Sequence, residues 1–181
     1  MWGRAAGGRM VDSSFPWDLR RRVVSVKILY LHGLGSGPNA YKASLLAQRG
    51  HDVSTPRLGD EDFEQSLIEA SRALREFKPE VIVGSSRGGS VAMNLDQCTI
   101  PLVLIAPAWK RWGNADRLKP AATVLHSPSD EVVPIQWSRE LIRQSGLPET
   151  SLIEIGSSHA MTDQAALAAL FDAVQSAAEE R

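Results

Sequence analysis

The sequence predicts an α/β fold with a mostly parallel central sheet of about six to seven strands and helices on both faces. Two observations lead to this prediction. From residue 26 onward, short apolar segments of strand length alternate with longer segments of helical periodicity, and no shift in composition divides them. Segment 101–106 is apolar throughout, as expected of a parallel strand covered by helices on both of its faces.

The predicted elements alternate regularly along the chain. Strands are expected near residues 26–32, 52–55, 80–84, 101–106, 121–126 and 151–155. Helices are expected near residues 39–49, 61–77, 87–97, 135–145 and 162–178. Segment 61–77 shows the helical pattern most clearly, because its apolar residues recur at helical spacing and Pro79 follows its end.

The composition indicates one globular domain over residues 26–181, preceded by an N-terminal extension over residues 1–25 that we expect to be flexible. A formal net charge of −1 provides no electrostatic case for binding nucleic acid or an anionic membrane. No apolar run is long enough to span a bilayer. The single cysteine, Cys98, excludes an intrachain disulfide and fits the cytoplasm, and no residue cluster has metal-ligand spacing.

A glycine-rich segment follows the apolar run 81–83 and carries the strongest functional signal. Residues 84–89 read Gly-Ser-Ser-Arg-Gly-Gly and match G-x-S-x-G with Ser86 at the centre. This pattern is typical of a nucleophile elbow, in which a strand turns sharply into a helix and presents a serine hydroxyl. Because residues on either side of such a turn approach closely, Gly84 and Gly88 are expected to be required there.

Other interpretations of this segment fit less well. Ser85 has large residues, Val83 and Arg87, at the positions where Ser86 has glycines. A phosphate-binding loop would end in Gly-Lys-Ser/Thr, and a dinucleotide loop would read G-x-G-x-x-G; neither is present. We therefore predict Ser86 as the nucleophile.

A serine nucleophile needs a base, and four histidines could supply it. His32 leads into a glycine-rich loop, His51 lies in a polar turn, and His126 is embedded in an apolar run. Only His159 stands just past a late strand with a helix after it. His159 is therefore the predicted general base.

The base must be oriented by an acid, which we expect in the loop after the strand near 121–126. Asp130 begins an Asp-x-Val-Val-Pro turn there, and its neighbour Glu131 is the competing candidate. Asp130 is preferred because its shorter side chain is held more easily. The order Ser86, Asp130, His159 is the nucleophile, acid, base order of α/β-hydrolases.

An oxyanion hole completes such a site, because charge that develops on the substrate carbonyl must meet preorganised donors. The backbone N–H of Arg87, directly after the nucleophile, is one expected donor. The backbone N–H of Leu34, in the loop after the first strand, is the other. In this interpretation His32 is structural and its imidazole holds that loop in place.

These motifs together resemble a known family. Tyr30-Leu31-His32-Gly33, the Gly-Ser-Ser-x-Gly-Gly elbow, Asp130 and His159 are similar to the α/β-hydrolase superfamily, most closely to its small uncapped YqiA-like esterases. The resemblance implies a hydrolase for small carboxylic esters or thioesters that works through an acyl-serine intermediate without a cofactor. Residues 107–120 are too few for a lid domain, which implies an open site for short acyl groups.

Four further side chains are of interest around such a site. Tyr41, Trp109 and Trp137 are expected to line it, and Arg87 either favours an anionic substrate or, as we prefer, folds away to pair with a carboxylate. The sequence leaves amide, lactone or peptide hydrolysis open, since one triad serves all of these reactions. A different class also remains: a ligand-binding or signalling protein of hydrolase fold with slow turnover.

Overall fold

A computed structural model describes residues 24–96, 99–119 and 121–179. The expected N-terminal extension lies outside the described residues except for its last two positions, and Cys98 also lies outside them. Within the described ranges, no helix is long and apolar enough to cross a membrane.

Among the residues that the structure describes, six strands form one sheet in which every neighbouring pair is parallel. The strands are β1 (Lys27–Leu31), β2 (Asp52–Ser54), β3 (Val81–Ser85), β4 (Leu102–Ile105), β5 (Ala122–His126) and β6 (Leu152–Glu154). Their spatial order is β2-β1-β3-β4-β5-β6. The chain therefore winds outward from β1 in one direction to β2 and then continues on the other side of β1 with β3.

In the described ranges, five α-helices connect or follow the strands. They are α1 (Tyr41–Gln48), α2 (Phe63–Phe77), α3 (Arg87–Asn94), α4 (Ile135–Ser145) and α5 (Gln164–Glu179), with a short 3-10 helix at Glu149–Ser151 before β6. Asp62 caps α2 by accepting a hydrogen bond from the N–H of Gln65 at 3.0 Å. Helix α3 ends before the predicted residue 97, because Leu95 already has extended backbone angles.

Alternate side chains of the buried strands point to opposite faces of the sheet and form two apolar cores. One core joins Leu29, Ile82 and Leu104 to the apolar sides of α2, α3 and α4. The other joins Ile28, Val83 and their neighbours to α1 and α5. The predicted fold class is thereby confirmed, with six strands covered by helices on both faces.

The winding direction reverses between β1 and β3, and this reversal determines where a site can form. In open parallel sheets, the loops at the carboxyl ends of two strands diverge at such a point and leave a crevice. The loop after β1 and the turn after β3, which carries Ser86, flank this crevice. Residues 106–119, between β4 and β5, contain no helix and form no lid over it.

Candidate active site

Ser86 occupies a strained backbone conformation between β3 and α3. Its φ of 53° and ψ of −116° are rare for a residue with a side chain, and such a conformation costs about 1–3 kcal/mol. The surrounding chain holds it in place, because its N–H donates to the carbonyl of Ile105 at 2.8 Å and its carbonyl accepts from Ala108 at 3.1 Å. This is the geometry of a nucleophile elbow.

The glycines of the elbow lie where no side chain fits. A Cβ on Gly84 would lie 2.7 Å from the carbonyl oxygen of Gly88, and a Cβ on Gly88 would lie 2.0 Å from the carbonyl oxygen of Leu31. A Cβ on Gly89 would meet Pro107 at 2.9 Å, a constraint that the sequence pattern did not include. Close packing of α3 against β1 and the loop after β4 therefore requires small residues here.

The three residues of the predicted triad come together at the carboxyl end of the sheet. The Nε2 atom of His159 lies 3.1 Å from the Oγ atom of Ser86, and its Nδ1 atom lies 2.7 Å from Oδ2 of Asp130. Since an ionised carboxylate can only accept, Nδ1 carries the proton, and Nε2 of the neutral ring is free to accept from the Ser86 hydroxyl. The arrangement can remove a proton from the serine.

The carboxylate of Asp130 is fully buried but well supplied with donors. Its Oδ1 atom accepts from the backbone N–H groups of Val132 at 2.8 Å and Val133 at 2.7 Å. Burial alone would raise the pKa of Asp130, but the hydrogen bonds from Val133, His159 and Val132 outweigh it and lower the pKa below its ordinary value. Asp130 is therefore ionised at neutral pH and can stabilise a protonated His159.

Glu131, the competing acid candidate, takes a different position. Its Oε2 atom accepts from the backbone N–H of His159 at 3.2 Å and does not bond to the imidazole. Lys42, at the start of α1, donates from Nζ to the carbonyl of Ala160 at 2.6 Å. Both side chains brace the loop that carries the base. The sequence carried no signal for Lys42, because it lies more than a hundred positions from that loop.

The loop after β1 passes directly beside the nucleophile. A Cβ on Gly33 would lie 3.3 Å from Cβ of Ser86 and 3.9 Å from its Oγ. His32 holds the loop as expected: Nε2 accepts from the N–H of Leu58 at 3.1 Å, and Nδ1 lies 2.9 Å from the carbonyl of Gly33. The predicted oxyanion donors, the N–H groups of Leu34 and Arg87, thus belong to the two segments that flank Ser86.

The Arg87 side chain folds away from solvent and is only 1% exposed. Its Nη2 atom donates to the carbonyl oxygen of Asp62 at 3.1 Å and to Oγ of Ser66 at 3.0 Å. Its guanidinium lies 5.6 Å from the ring of Phe63 and 5.0 Å from that of Trp112. Arg87 thus folds away as expected, but it hydrogen-bonds to the backbone carbonyl oxygen of Asp62 instead of a carboxylate, because the Asp62 carboxylate caps α2.

The aromatic residues expected to line the site differ in their surroundings. Trp109 is 8% exposed, packs in the core and donates from Nε1 to the carbonyl of Trp137 at 3.1 Å. Trp137 is half-buried on α4, with the guanidinium of Arg111 5.5 Å from its ring. Tyr41 is exposed at the start of α1. Trp109 therefore offers little surface to a substrate, whereas Tyr41 and Trp137 remain accessible.

Three exposed apolar side chains belong to segments around the triad. Leu34 lies in the loop after β1, Val132 follows Asp130 by two residues, and Tyr41 adjoins Lys42, which contacts the His159 loop. Exposed apolar side chains beside a cleft can contact the apolar part of a ligand.

A separate groove of about 370 Å³ lies between β2 and α2 and includes no residue of the triad. It is lined by Ser54, Thr55, Pro56, Glu69, Arg72, Ala73, Glu76 and Phe77. Its charged side chains do not form a constellation with nucleophile, base and acid roles, so the chemistry is assigned to the Ser86 site.

One known protein family is similar to this chain. A model of the uncharacterised protein family UPF0227 matches residues 27–117, a range that includes the β1 loop and the Ser86 elbow and ends before Asp130. No curated protein matches the chain.

Several solved structures share the fold. A serine hydrolase without a lid from Xanthomonas campestris is 19% identical, with a TM-score of 0.60 over 90% of this chain and 86% of that one. Est1E from Butyrivibrio proteoclasticus is 17% identical, with a TM-score of 0.62 over 86% and 88% of the two chains. Mouse α/β hydrolase domain-containing protein 10 is 16% identical, with a TM-score of 0.64 over 87% and 92%. The chain thus has the α/β-hydrolase fold in a form without a lid.

Proposed function

We propose that this chain, which belongs to the uncharacterised protein family UPF0227, is a serine hydrolase that cleaves small carboxylic esters or thioesters. One observation carries the proposal: an unbroken hydrogen-bonded series joins Ser86 to His159 at 3.1 Å and His159 to Asp130 at 2.7 Å. A nucleophile, its base and the orienting acid within hydrogen-bond reach are the arrangement that activates a serine.

In the first half of the reaction, the Oγ atom of Ser86 attacks the substrate carbonyl carbon while Nε2 of His159 accepts the hydroxyl proton. Asp130 stabilises the imidazolium through its bond to Nδ1. The carbonyl oxygen becomes an oxyanion, which the N–H groups of Leu34 and Arg87 stabilise. His159 then returns the proton to the departing alcohol or thiol, and an acyl-serine remains.

In the second half, a water molecule replaces the leaving group. His159 accepts a proton from this water, whose oxygen attacks the acyl carbon, and the proton returns to Oγ of Ser86 as the carboxylic acid departs. His159 accepts a proton in each half of the reaction, so the ionised Asp130 stabilises an imidazolium in both halves. The lowered pKa of Asp130 supports this role at neutral pH.

The surroundings of Ser86 favour small substrates with an apolar acyl group. The absence of a helix over residues 106–119 leaves the site open, and the exposed apolar side chains of Leu34, Tyr41 and Val132 belong to segments around the triad. Est1E, which shares the fold at low identity, has been solved with ferulic acid bound. A substrate panel should therefore include short-chain acyl esters, their thioesters and a feruloyl ester.

The test is labelling with a fluorophosphonate probe followed by peptide mapping, because this probe reports an activated serine without a choice of substrate. We expect rapid modification confined to Ser86 and none in Ser86→Ala. Ser85→Ala is the matched control, since Ser85 is the adjacent serine at the end of β3 and Nε2 of His159 lies against Oγ of Ser86. Equal labelling of Ser86→Ala and wild type would refute the mechanism. No labelling of folded wild type, with stabilisation by ligands, would favour a binding protein.

A further inference from the structure

His126, the last residue of β5, is completely buried and takes no part in the mechanism above. Its ring nevertheless has a polar partner at each nitrogen. Nδ1 lies 2.7 Å from Oγ of Ser138 on α4. Nε2 lies 3.0 Å from the carbonyl oxygen of Val133 and 3.1 Å from Oδ2 of Asp130, the oxygen that also contacts His159.

These partners define the protonation state of the ring. The Val133 carbonyl and the Asp130 carboxylate can only accept, so Nε2 must carry a proton; its N–H donates to the Val133 carbonyl and lies within reach of Oδ2 of Asp130. The Ser138 hydroxyl can donate, so Nδ1 can be unprotonated and accept from it. Burial lowers the pKa of His126 and outweighs its bond to Val133 and the charge of Asp130, so the ring is neutral at neutral pH.

We propose that His126 is a positioning residue for the proposed hydrolase reaction: its Nε2–H holds Oδ2 of Asp130 in the orientation in which that oxygen accepts from Nδ1 of His159. The inference rests on the proposed function for its catalytic consequence, but the contact itself does not.

The carboxylate of Asp130 shows why such a donor matters. Two backbone N–H groups bind Oδ1, so the orientation of Oδ2 depends on the groups that contact Oδ2 itself. With His126 present, two imidazole nitrogens lie beside the buried Oδ2 atom, Nδ1 of His159 at 2.7 Å and Nε2 of His126 at 3.1 Å. Without His126, one acceptor site on Oδ2 would face an apolar interior, which costs free energy and leaves the oxygen less constrained.

The electrostatic consequence has one direction. A donor on Oδ2 makes that oxygen less basic, so its removal raises the pKa of Asp130 and strengthens the hold of the carboxylate on the proton of His159. The titratable groups that face His126 are Asp130, His159 and Glu154, the last being its neighbour in β6. As the pH is lowered, activity should therefore be lost at a higher pH when the donor is absent than in the wild type.

The experiment measures the rate of fluorophosphonate labelling of Ser86 as a function of pH in three variants. His126→Phe keeps an aromatic ring without a donor, and His126→Gln can return an N–H near the position of Nε2. His51→Phe is the matched control, because His51 is also buried but binds the N–H of Val26 at the far end of the strands.

We expect His126→Phe to label about tenfold more slowly, with the acid limb of its profile shifted upward by about half a pH unit or more. His126→Gln should restore the rate to within about threefold of wild type. His51→Phe should lower the Tm without changing the profile. If His126→Phe loses stability only, with the rate and acid limb of wild type, the proposal is overturned.

Nitrogen NMR of the wild type tests the contact even if His126→Phe does not fold. We expect a neutral His126 with its proton on Nε2 between about pH 6 and 8; a proton on Nδ1 alone would overturn the proposal. If wild type itself does not label, the proposed function fails, whereas the Nδ1–H resonance of His159 still reports on positioning. The chemical shift of that resonance should change in His126→Phe and stay near its wild-type value in His126→Gln. No change in His126→Phe would contradict the inference.

Discussion

Replacement of Asp130 by asparagine tests the core of the proposed mechanism, because it changes one atom and removes one charge. In the wild type, the backbone N–H groups of Val132 and Val133 donate to Oδ1 and Nδ1 of His159 donates to Oδ2, and Nε2 of His126 lies 3.1 Å from the same Oδ2. An amide has only one oxygen. Whichever way it turns, its NH2 group faces a donor, either the backbone pair or the imidazole Nδ1–H.

The magnitude follows from these contacts. If the NH2 group faces His159, the imidazole must take the tautomer with its proton on Nε2 and can no longer accept from Ser86, which lies 3.1 Å away. The imidazolium that forms during catalysis also loses its counter-charge. We expect kcat to fall by about 10³–10⁴-fold, which is about 4–5.5 kcal/mol of transition-state stabilisation.

Glu131→Gln is the matched control, with the same chemical change one residue away. Its amide oxygen can still accept from the backbone N–H of His159, so we expect kcat within about threefold of wild type. Hydrolysis of a short-chain p-nitrophenyl ester gives kcat and KM for both variants, and circular dichroism checks that each is folded.

Two outcomes would contradict this mechanism. If folded Asp130→Asn retains more than about a tenth of wild-type kcat while Glu131→Gln loses most of it, the acid has been wrongly assigned. If neither variant loses activity, the hydrogen-bonded series does not drive the reaction.

The remaining predictions concern stability. Arg87→Met removes the donor to Asp62 and Ser66 from a buried position, so we expect the free energy of unfolding to fall by about 3 kcal/mol and Tm by about 6–12 °C. The exposed control Arg111→Met should change Tm by less than about 2 °C. Equal Tm shifts in the two variants would contradict this account. Because the folded-state pKa of Asp130 is lowered, its contribution to stability is complete above the ordinary carboxyl value of about 3.9 and is lost as pH falls through the folded value. The urea-derived free energy of unfolding should therefore fall less steeply below about pH 4 in Asp130→Asn than in wild type, and equal slopes would refute this.

Much of the fold could be predicted because its signals are local. The continuous apolar segment 101–106 predicts a strand covered on both faces, and the structure has β4 there. The helical spacing of 61–77 predicts a helix that packs on the sheet, and the structure has α2 there. Helix α4 begins and ends at the predicted residues 135 and 145. The early end of α3 could not be foreseen, because it depends on the backbone of Leu95 and not on periodicity.

The candidate site divides in the same way. Ser86, Asp130 and His159 could be named because each stands just past a strand, and parallel strands bring their carboxyl ends to one edge. The braces of the site could not be named. Lys42 donates from α1 to the His159 loop, and the carboxylate of Asp60 lies 3.3 Å from the backbone nitrogen of Gly35; both residues are distant in sequence from the loops they hold.

By itself, the sequence determined the class of fold, the order of its elements and the residues that can serve as nucleophile, acid and base, since these depend on periodicity and on positions relative to strand ends. Only the tertiary structure decided which groups share a hydrogen bond. It placed Glu131 on the backbone of His159, turned Arg87 toward a carbonyl, and brought His126 against Asp130. Such contacts join distant segments, and side-chain direction at a few ångströms follows from packing, which no local pattern records.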